Sequence, residues 1–379
     1  MNRLWPLLRR HVFIFDPVLF GVLALLSALS LVTMYSAVGD NSARLFVHAR
    51  NLGMATLICW LIARLQPRQL MSAAIPLYLI GVALLLAVDL FGVSAKGARR
   101  WLDLGFTRIQ PSELMKIAIP LVLAWFFHTT RNRWPGHTPH LLAAVILVVP
   151  VALVGRQPDL GTAILVASAG AFTIYFAGLS WRIIIGGTII GIAALPLLWI
   201  NMKPYQQQRV LTMLDPTDDP LGKGFHIIQS TIAVGSGGVE GKGWLKGTQS
   251  HLDFVPERTT DFIFSVYAEE FGLIGTGVLL LLYTALIARG LMIASQAQST
   301  FARLLAGSMT MIFFTYAFVN IGMVIGILPV VGVPLPFMSY GGTALVTLGL
   351  GCGFLMCVAR ENALARRSPA WRYQHNPLG

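Results

Sequence analysis

Apolar runs long enough to cross a membrane alternate along this chain with short polar connections, and one connection is far longer than the rest. A membrane span needs about 20 apolar residues. Ten runs reach or approach that length, near 17–36, 46–64, 73–91, 112–128, 140–155, 160–178, 183–202, 262–288, 301–328 and 343–359. The pattern predicts an all-α polytopic membrane protein, a single membrane domain over 1–379 with about ten transmembrane helices. The long connection, about 203–261, lies between the seventh and eighth helices and is polar and Gly-rich.

Composition supports this reading. Hydrophobic residues make up 55% of the chain and charged residues 12%, with a mean hydropathy of +0.70. A soluble domain carries about twice that charged share. The formal charge of +12 is scattered between apolar runs, so anionic headgroups or an anionic substrate are the expected partners and nucleic acid is not. Cys59, Cys352 and Cys357 all fall in apolar segments, which leaves no disulfide or metal framework. The apolar run after the basic N-terminus is too long for a signal-peptide core and is expected as a retained first span.

With ten spans both termini share a side, and that side collects Arg9, Arg10, Arg64, Arg68, Arg131, Arg133, Arg289, Arg303, Arg366 and Arg367, among others. The bias predicts cytoplasmic termini and an extracytoplasmic long loop. The opposite side is also basic, with Lys96, Arg99, Arg100 and Arg108 between spans three and four. These charges serve either as a funnel for a diphosphate-like headgroup or as partners of lipid phosphates.

Five constellations carry candidate chemistry. In KGARRWLDLGFTRIQPSELMK, Glu113 and Lys116 are three apart on one helix face inside an apolar span. Intramembrane charges either line a site or hold helices together. Trp101 is an interface anchor or a sugar platform. In QPDLGTA, Asp159 caps the next helix or lines the same cavity. In the long loop, Arg209 precedes a DPTDDP turn cluster, and GKGFHIIQS is echoed by GKGWLKGTQS. The Gly-Lys-Gly pieces do not match a phosphate-binding loop, so nucleotide binding is rejected. In PERTTDFIF, Asp261 stands where polar loop turns into apolar helix, as a helix cap or as a general base. Glu269 and Glu270 follow inside the span and are expected to face the interior. Last, Pro329, Pro334 and Pro336 with Ser339-Tyr340-Gly341-Gly342 break the helix at membrane depth, which is tolerated only where protein buries the backbone or a cavity is lined.

These motifs together resemble the SEDS family (shape, elongation, division and sporulation). Asn320, Gly326, Pro329, Gly332 and Ser339–Gly342 fall where the family signature expects them, and the other motifs follow in the family's order over nearly the whole chain. The loop motifs are closer to the elongation branch than to the division branch. The resemblance implies a peptidoglycan glycosyltransferase of the bacterial inner membrane. It would polymerise lipid II, a disaccharide-pentapeptide on undecaprenyl diphosphate, at the periplasmic face. It implies Asp261 as the essential carboxylate, taking the proton of the acceptor 4-hydroxyl. Glu113, Lys116, Arg100, Trp101, Arg108, Asp159 and Arg209 are the expected substrate-binding set. It further implies help from a divalent cation (Mg2+ or Mn2+), a class B penicillin-binding protein as partner, and other membrane proteins of the rod complex. The rival readings are a lipid II flippase, which needs polar groups along a whole transmembrane path, and a non-catalytic scaffold.

Overall fold

The computed structural model describes residues 15–39, 41–95, 98–103, 108–130, 138–157, 159–202, 204–215, 223–252 and 257–367. In chain order they form α1 (Pro17–Val38), α2 (Ser42–Ala63), α3 (Pro67–Phe91), β1 (Val93–Ala95), β2 (Ala98–Asp103), β3 (Arg108–Ile109), α4 (Pro111–Thr130), α5 (Thr138–Arg156), α6 (Leu160–Phe176), α7 (Trp181–Ala193) and α8 (Leu195–Asn201). The long connection carries α9 (Pro204–Leu214), α10 (Lys223–Ser236) and α11 (Thr248–His251), and α12 (Ile263–Ser295), α13 (Thr300–Val324) and α14 (Gly342–Arg367) complete the bundle. Each of the ten predicted intervals falls on a helix, or on the α7–α8 pair bent by 43°. Among the described residues seven helices are by themselves long and apolar enough to span a bilayer. The all-α polytopic architecture holds.

Polar residues at the helix starts set the boundaries. Asp16, Asn41, Asp159 and Ser299 each accept a hydrogen bond from a first-turn amide of the helix they precede. Asp16 also takes Arg289 in a two-pronged pair of 2.9 and 2.5 Å, which ties α1 to α12 on the side away from the long loop. Expected only as a basic loop, the stretch between α3 and α4 forms an antiparallel sheet in the order β1-β2-β3. Alternation along β2 sends the neighbours Arg100 and Trp101 to opposite faces.

The bundle is built around α13, which packs against α4, α6, α12 and α14. Its length also measures depth. Asn320 lies about 30 Å from the start of α13, whereas a straight α12 would put Asp261 about 50 Å from its own far end. Yet Asn320 Nδ2 donates to the Asp261 carbonyl at 2.8 Å. The discrepancy is resolved by a break: Gly272 adopts φ 61°, ψ −158°, a conformation open in practice only to glycine. The piece Ile263–Phe271 therefore leaves the axis of the rest of α12, and every residue from Ile263 to Glu270 is buried.

After α13 the chain is non-helical from Ile325 to Gly341 and dips back into the bundle. Tyr283, midway along α12, donates to the Pro336 carbonyl at 2.7 Å, and Ser30 of α1 donates to the Met338 carbonyl at 3.1 Å. Because Ser30 Oγ spends its proton there, its 2.7 Å contact with His48 Nε2 is accepted from an Nε2–H tautomer. The segment is thus buried with its backbone held by side chains, as a non-helical stretch at this depth must be.

Gly272→Ala is expected to lower stability by about 1–3 kcal/mol from backbone conformation alone. Its new Cβ would also meet the Gly241 amide nitrogen at 2.3 Å. Gly277→Ala, with nothing within 4 Å, is the control. Equal melting temperatures for the two variants in detergent would show that the break is not required.

Candidate active site

Two side chains one helical turn apart on α13 organise the loop-side half of the bundle. Asn320 holds Asp261 through the carbonyl and also donates to the Val333 carbonyl at 2.7 Å. Tyr316, a turn deeper, hydrogen-bonds the Lys116 ammonium.

Asp261 opens the buried piece of α12 and is itself half-buried. Its carboxylate lies beside Gly332, where an added Cβ would come within 3.3 Å of Oδ2. The turn that presents it is pinned from the signature segment, because the Tyr340 amide donates to the Thr259 carbonyl at 2.8 Å. Phe262 stacks on His226 of α10 at 5.8 Å. Burial pushes the His226 imidazole below its ordinary pKa, while the Glu257 carboxylate pulls the other way.

Asp159 sits on the opposite side of the same segment. It caps α6 at the Thr162 amide (3.2 Å), accepts from Gln110 Nε2 (3.0 Å) and faces Arg100 Nη1 at 3.6 Å. Two residues on, Gly161 packs so closely that a Cβ there would stand 2.5 Å from the Val331 carbonyl oxygen. Val331–Val333 is therefore held between the Asp159 end of α6 and the Asp261 turn, which brings these two expected site residues to one strip of backbone.

Glu113 and Lys116 form a pair at 2.6 Å. Lys116 is 1% exposed and its ammonium is enclosed by Glu113 and Tyr316. Glu113 uses its other oxygen to accept from Thr347 of α14 at 3.1 Å. The pair thus joins α4 to α13 and α14. The Arg100 side chain, by contrast, keeps 28% of its surface exposed. Trp101 is half-buried on β2, its Cα paired with Val93. Arg108 stands in β3 and Arg209 in α9, but both side chains lie outside the described residues, as does Lys96.

Glu269 and Glu270 are buried, as expected, but they face other partners than Asp261. Glu269 pairs with Lys242 at 2.7 Å and accepts from the Gln249 amide at 2.9 Å, and Glu270 accepts from Ser36. Tyr316, Thr347, Gln110 and His226 belong to the site and were not singled out from the sequence. Tyr316 and Thr347 are long-range partners with no local motif, and only the polar type of Tyr316 inside a span marks it. Among the described residues no three His, Cys, Asp or Glu side chains gather as a metal-binding set. The described residues therefore offer no ready cage for Mg2+ or Mn2+.

Fold and site together define a polytopic membrane protein in which polar side chains converge beneath a re-entrant segment and one carboxylate stands at its loop-side edge. The chain belongs to the FtsW/RodA/SpoVE family: the family model described as "Cell cycle protein" matches residues 10–364. It is 49% identical over 355 residues to the peptidoglycan glycosyltransferase MrdB of Escherichia coli K12, covering 93% of this chain and 95% of that one. It is 34% identical over 314 residues to a probable peptidoglycan glycosyltransferase FtsW of Geobacter metallireducens, covering 81% and 82%. Among solved structures, a chain of a peptidoglycan synthase complex that coordinates polymerization and crosslinking matches with TM-score 0.78 and 35% identity, covering 92% of this chain and 98% of that one. The rod shape determining protein RodA of Thermus thermophilus matches with TM-score 0.70 and 30% identity, covering 92% and 97%.

Removing one member of a buried ion pair costs about 3–5 kcal/mol, whereas removing both is often neutral. Lys116→Met is therefore expected to melt well below wild type, and Glu113→Gln with Lys116→Met to recover much of the loss. A double variant no more stable than the single one would rule out the pairing.

Proposed function

We propose that this chain is a peptidoglycan glycosyltransferase that polymerises lipid II into β-1,4-linked glycan strands during cell elongation, with Asp261 as its general base. The observation that carries the reading is the clamped Asp261, whose backbone is fixed by Asn320 while its carboxylate stands half-buried beside Gly332. Asp261 takes the proton from the acceptor 4-hydroxyl. The freed oxygen pair attacks the donor C1 from the opposite face, and the C1–O bond electrons leave with undecaprenyl diphosphate. The leaving group needs positive charge rather than a proton.

Arg100 is suited to supply that charge, because its side chain keeps 28% of its surface exposed beside Asp159. Arg108 and Arg209 are proposed to join it, and Trp101 to offer a face to a sugar. Lys116, enclosed by Glu113 and Tyr316, is a positioning residue that holds α4 to α13. The charge asymmetry of the connections supports cytoplasmic termini and a site facing the periplasm of the bacterial inner membrane. The likeness to a synthase complex supports a class B penicillin-binding protein as partner, within a larger rod complex. A flippase reading is disfavoured by α4 itself: beyond Lys116 it runs Ile117–Ala124, buried and wholly apolar, with no polar continuation toward the other side.

Asp261→Asn is expected to cut lipid II polymerisation about 10²- to 10⁴-fold, the usual contribution of a general base. The assay uses purified protein with its cognate penicillin-binding partner, with melting temperature and complex formation unchanged. Full polymer from the variant would remove Asp261 from catalysis, and a lipid II translocation assay would then separate flippase from scaffold.

A further inference from the structure

The break at Gly272 would strand backbone groups of α12 on both sides of it. A hairpin of the long connection, residues 237–247, pairs them. Lys242 and Gly243 donate their amides to the Glu269 and Glu270 carbonyls, both at 3.0 Å. The Leu273 and Ile274 amides donate to the Gly238 and Val239 carbonyls at 2.9 and 3.1 Å. The fit needs glycine on the hairpin, because a Cβ at Gly237 or Gly241 would stand 2.2 Å from an α12 carbonyl oxygen. Lys242, on the side that faces α12, pairs with Glu269 at 2.7 Å.

The hairpin turns three large apolar side chains outward, alongside the exposed Glu240 and Lys246. Val239 is 62%, Trp244 46% and Leu245 43% exposed. They adjoin exposed apolar residues of two spans, Leu273 and Ile274 of α12 and Val32 of α1. Trp244 reaches along α1, stacking near Tyr35 at 5.6 Å and donating its indole N–H to the Val32 carbonyl at 3.2 Å. Val32 lies about 9 Å inside the loop-side end of α1 at 1.5 Å per residue. Helix α1 has the composition of a membrane span, so its exposed side at that depth meets acyl chains. The backbone groups that face α12 are paired and Val239, Trp244 and Leu245 give an apolar contact, while the exposed Glu240 and Lys246 hold the hairpin at the headgroup boundary of the leaflet. Tryptophan at the headgroup boundary is the usual interfacial anchor.

We propose that residues 237–247 are not a water-exposed loop but a hairpin seated in the loop-side leaflet, with Val239, Trp244 and Leu245 against phospholipid acyl chains. The hairpin replaces the missing turn of α12 and holds the break at a set height in the bilayer. The surface is a lipid contact of the chain itself and does not depend on the catalytic reading.

The test uses the full chain, without partner, in phosphatidylcholine–phosphatidylglycerol nanodiscs. A nitroxide is placed at Leu245→Cys, with Leu281→Cys (70% exposed, mid-α12) as the lipid control and Gln296→Cys, in the exposed turn between α12 and α13, as the aqueous control. The native cysteines are buried. The Leu245 label is expected to collide with oxygen in preference to a water-soluble nickel chelate, as at Leu281. Preference for the chelate, as at Gln296, overturns the proposal, and so does protection from both reagents, which would mean burial by protein. Should the Leu245 variant fail to fold, the emission difference between wild type and Trp244→Phe is read instead. Loss of that difference in lipids brominated high in the acyl chain supports insertion, and its persistence overturns it.

Discussion

A stretch of backbone without helical partners, buried inside the bundle, is the constraint on which this structure depends. Each unpaired peptide group there costs several kcal/mol unless something else bonds it. The segment after α13 meets that demand with side chains drawn from separate helices: Ser30 from α1, Tyr283 from α12 and Asn320 from α13. Ser339 adds a bond within the segment, accepting the Leu335 amide at 2.8 Å. No two neighbouring helices supply the set. The segment is therefore satisfied only when the bundle is closed, and closure in turn fixes Asp261, because Asn320 spends its amide protons on Val333 and Asp261 together.

Polar groups are layered by depth along α13. At the level of Asn320 lie Asp261 and the Val331–Val333 strip. One turn deeper, Tyr316 meets Lys116 and, through it, Glu113 and Thr347. A buried ion pair gives back little more than its desolvation costs, so net stability does not explain its presence. Its geometry does more: four side chains from α4, α13 and α14 agree on one register, and a slip of α13 or α14 takes a hydrogen-bond partner from a buried charge.

Much of this was legible in the sequence, and the failures have physical reasons. Hydropathy located every span interval, because about 20 apolar residues in a row have few other uses. Pro329, Pro334 and Pro336 announced non-helical backbone. Asp159 and Asp261, polar residues at the edges of apolar runs, marked the two sides of the strip. The sheet before α4 was hidden because its alternation is overwritten by Arg99, Arg100 and Arg108. The break in α12 was hidden because Gly272 lies inside a span whose only charges nearby, Glu269 and Glu270, carry no breaking signal, and glycine is common in membrane helices. Whether Lys116 lines a site or holds helices together stayed open in the sequence, because Tyr316, which hydrogen-bonds its ammonium, lies two hundred residues away. Partners that far apart leave no periodic trace.

The two departures from helix, at Gly272 and after α13, also explain how a long loop can end in a fixed carboxylate. The Asp261 turn is bonded to Asn320 and to the Tyr340 amide, and closes on itself through the Thr260 and Phe262 amides to the Glu257 carbonyl. On the other side of the break, hairpin and α12 exchange four backbone hydrogen bonds. Movement in the part of the connection before the hairpin therefore has two sets of bonds to cross before it reaches Asp261. A base that must meet one hydroxyl at hydrogen-bonding distance gains from being placed before substrate arrives, since misplacement by about 1 Å costs on the order of 10²-fold in rate. The strain at Gly272 is the local cost of that placement, and it is borne where glycine alone can bear it.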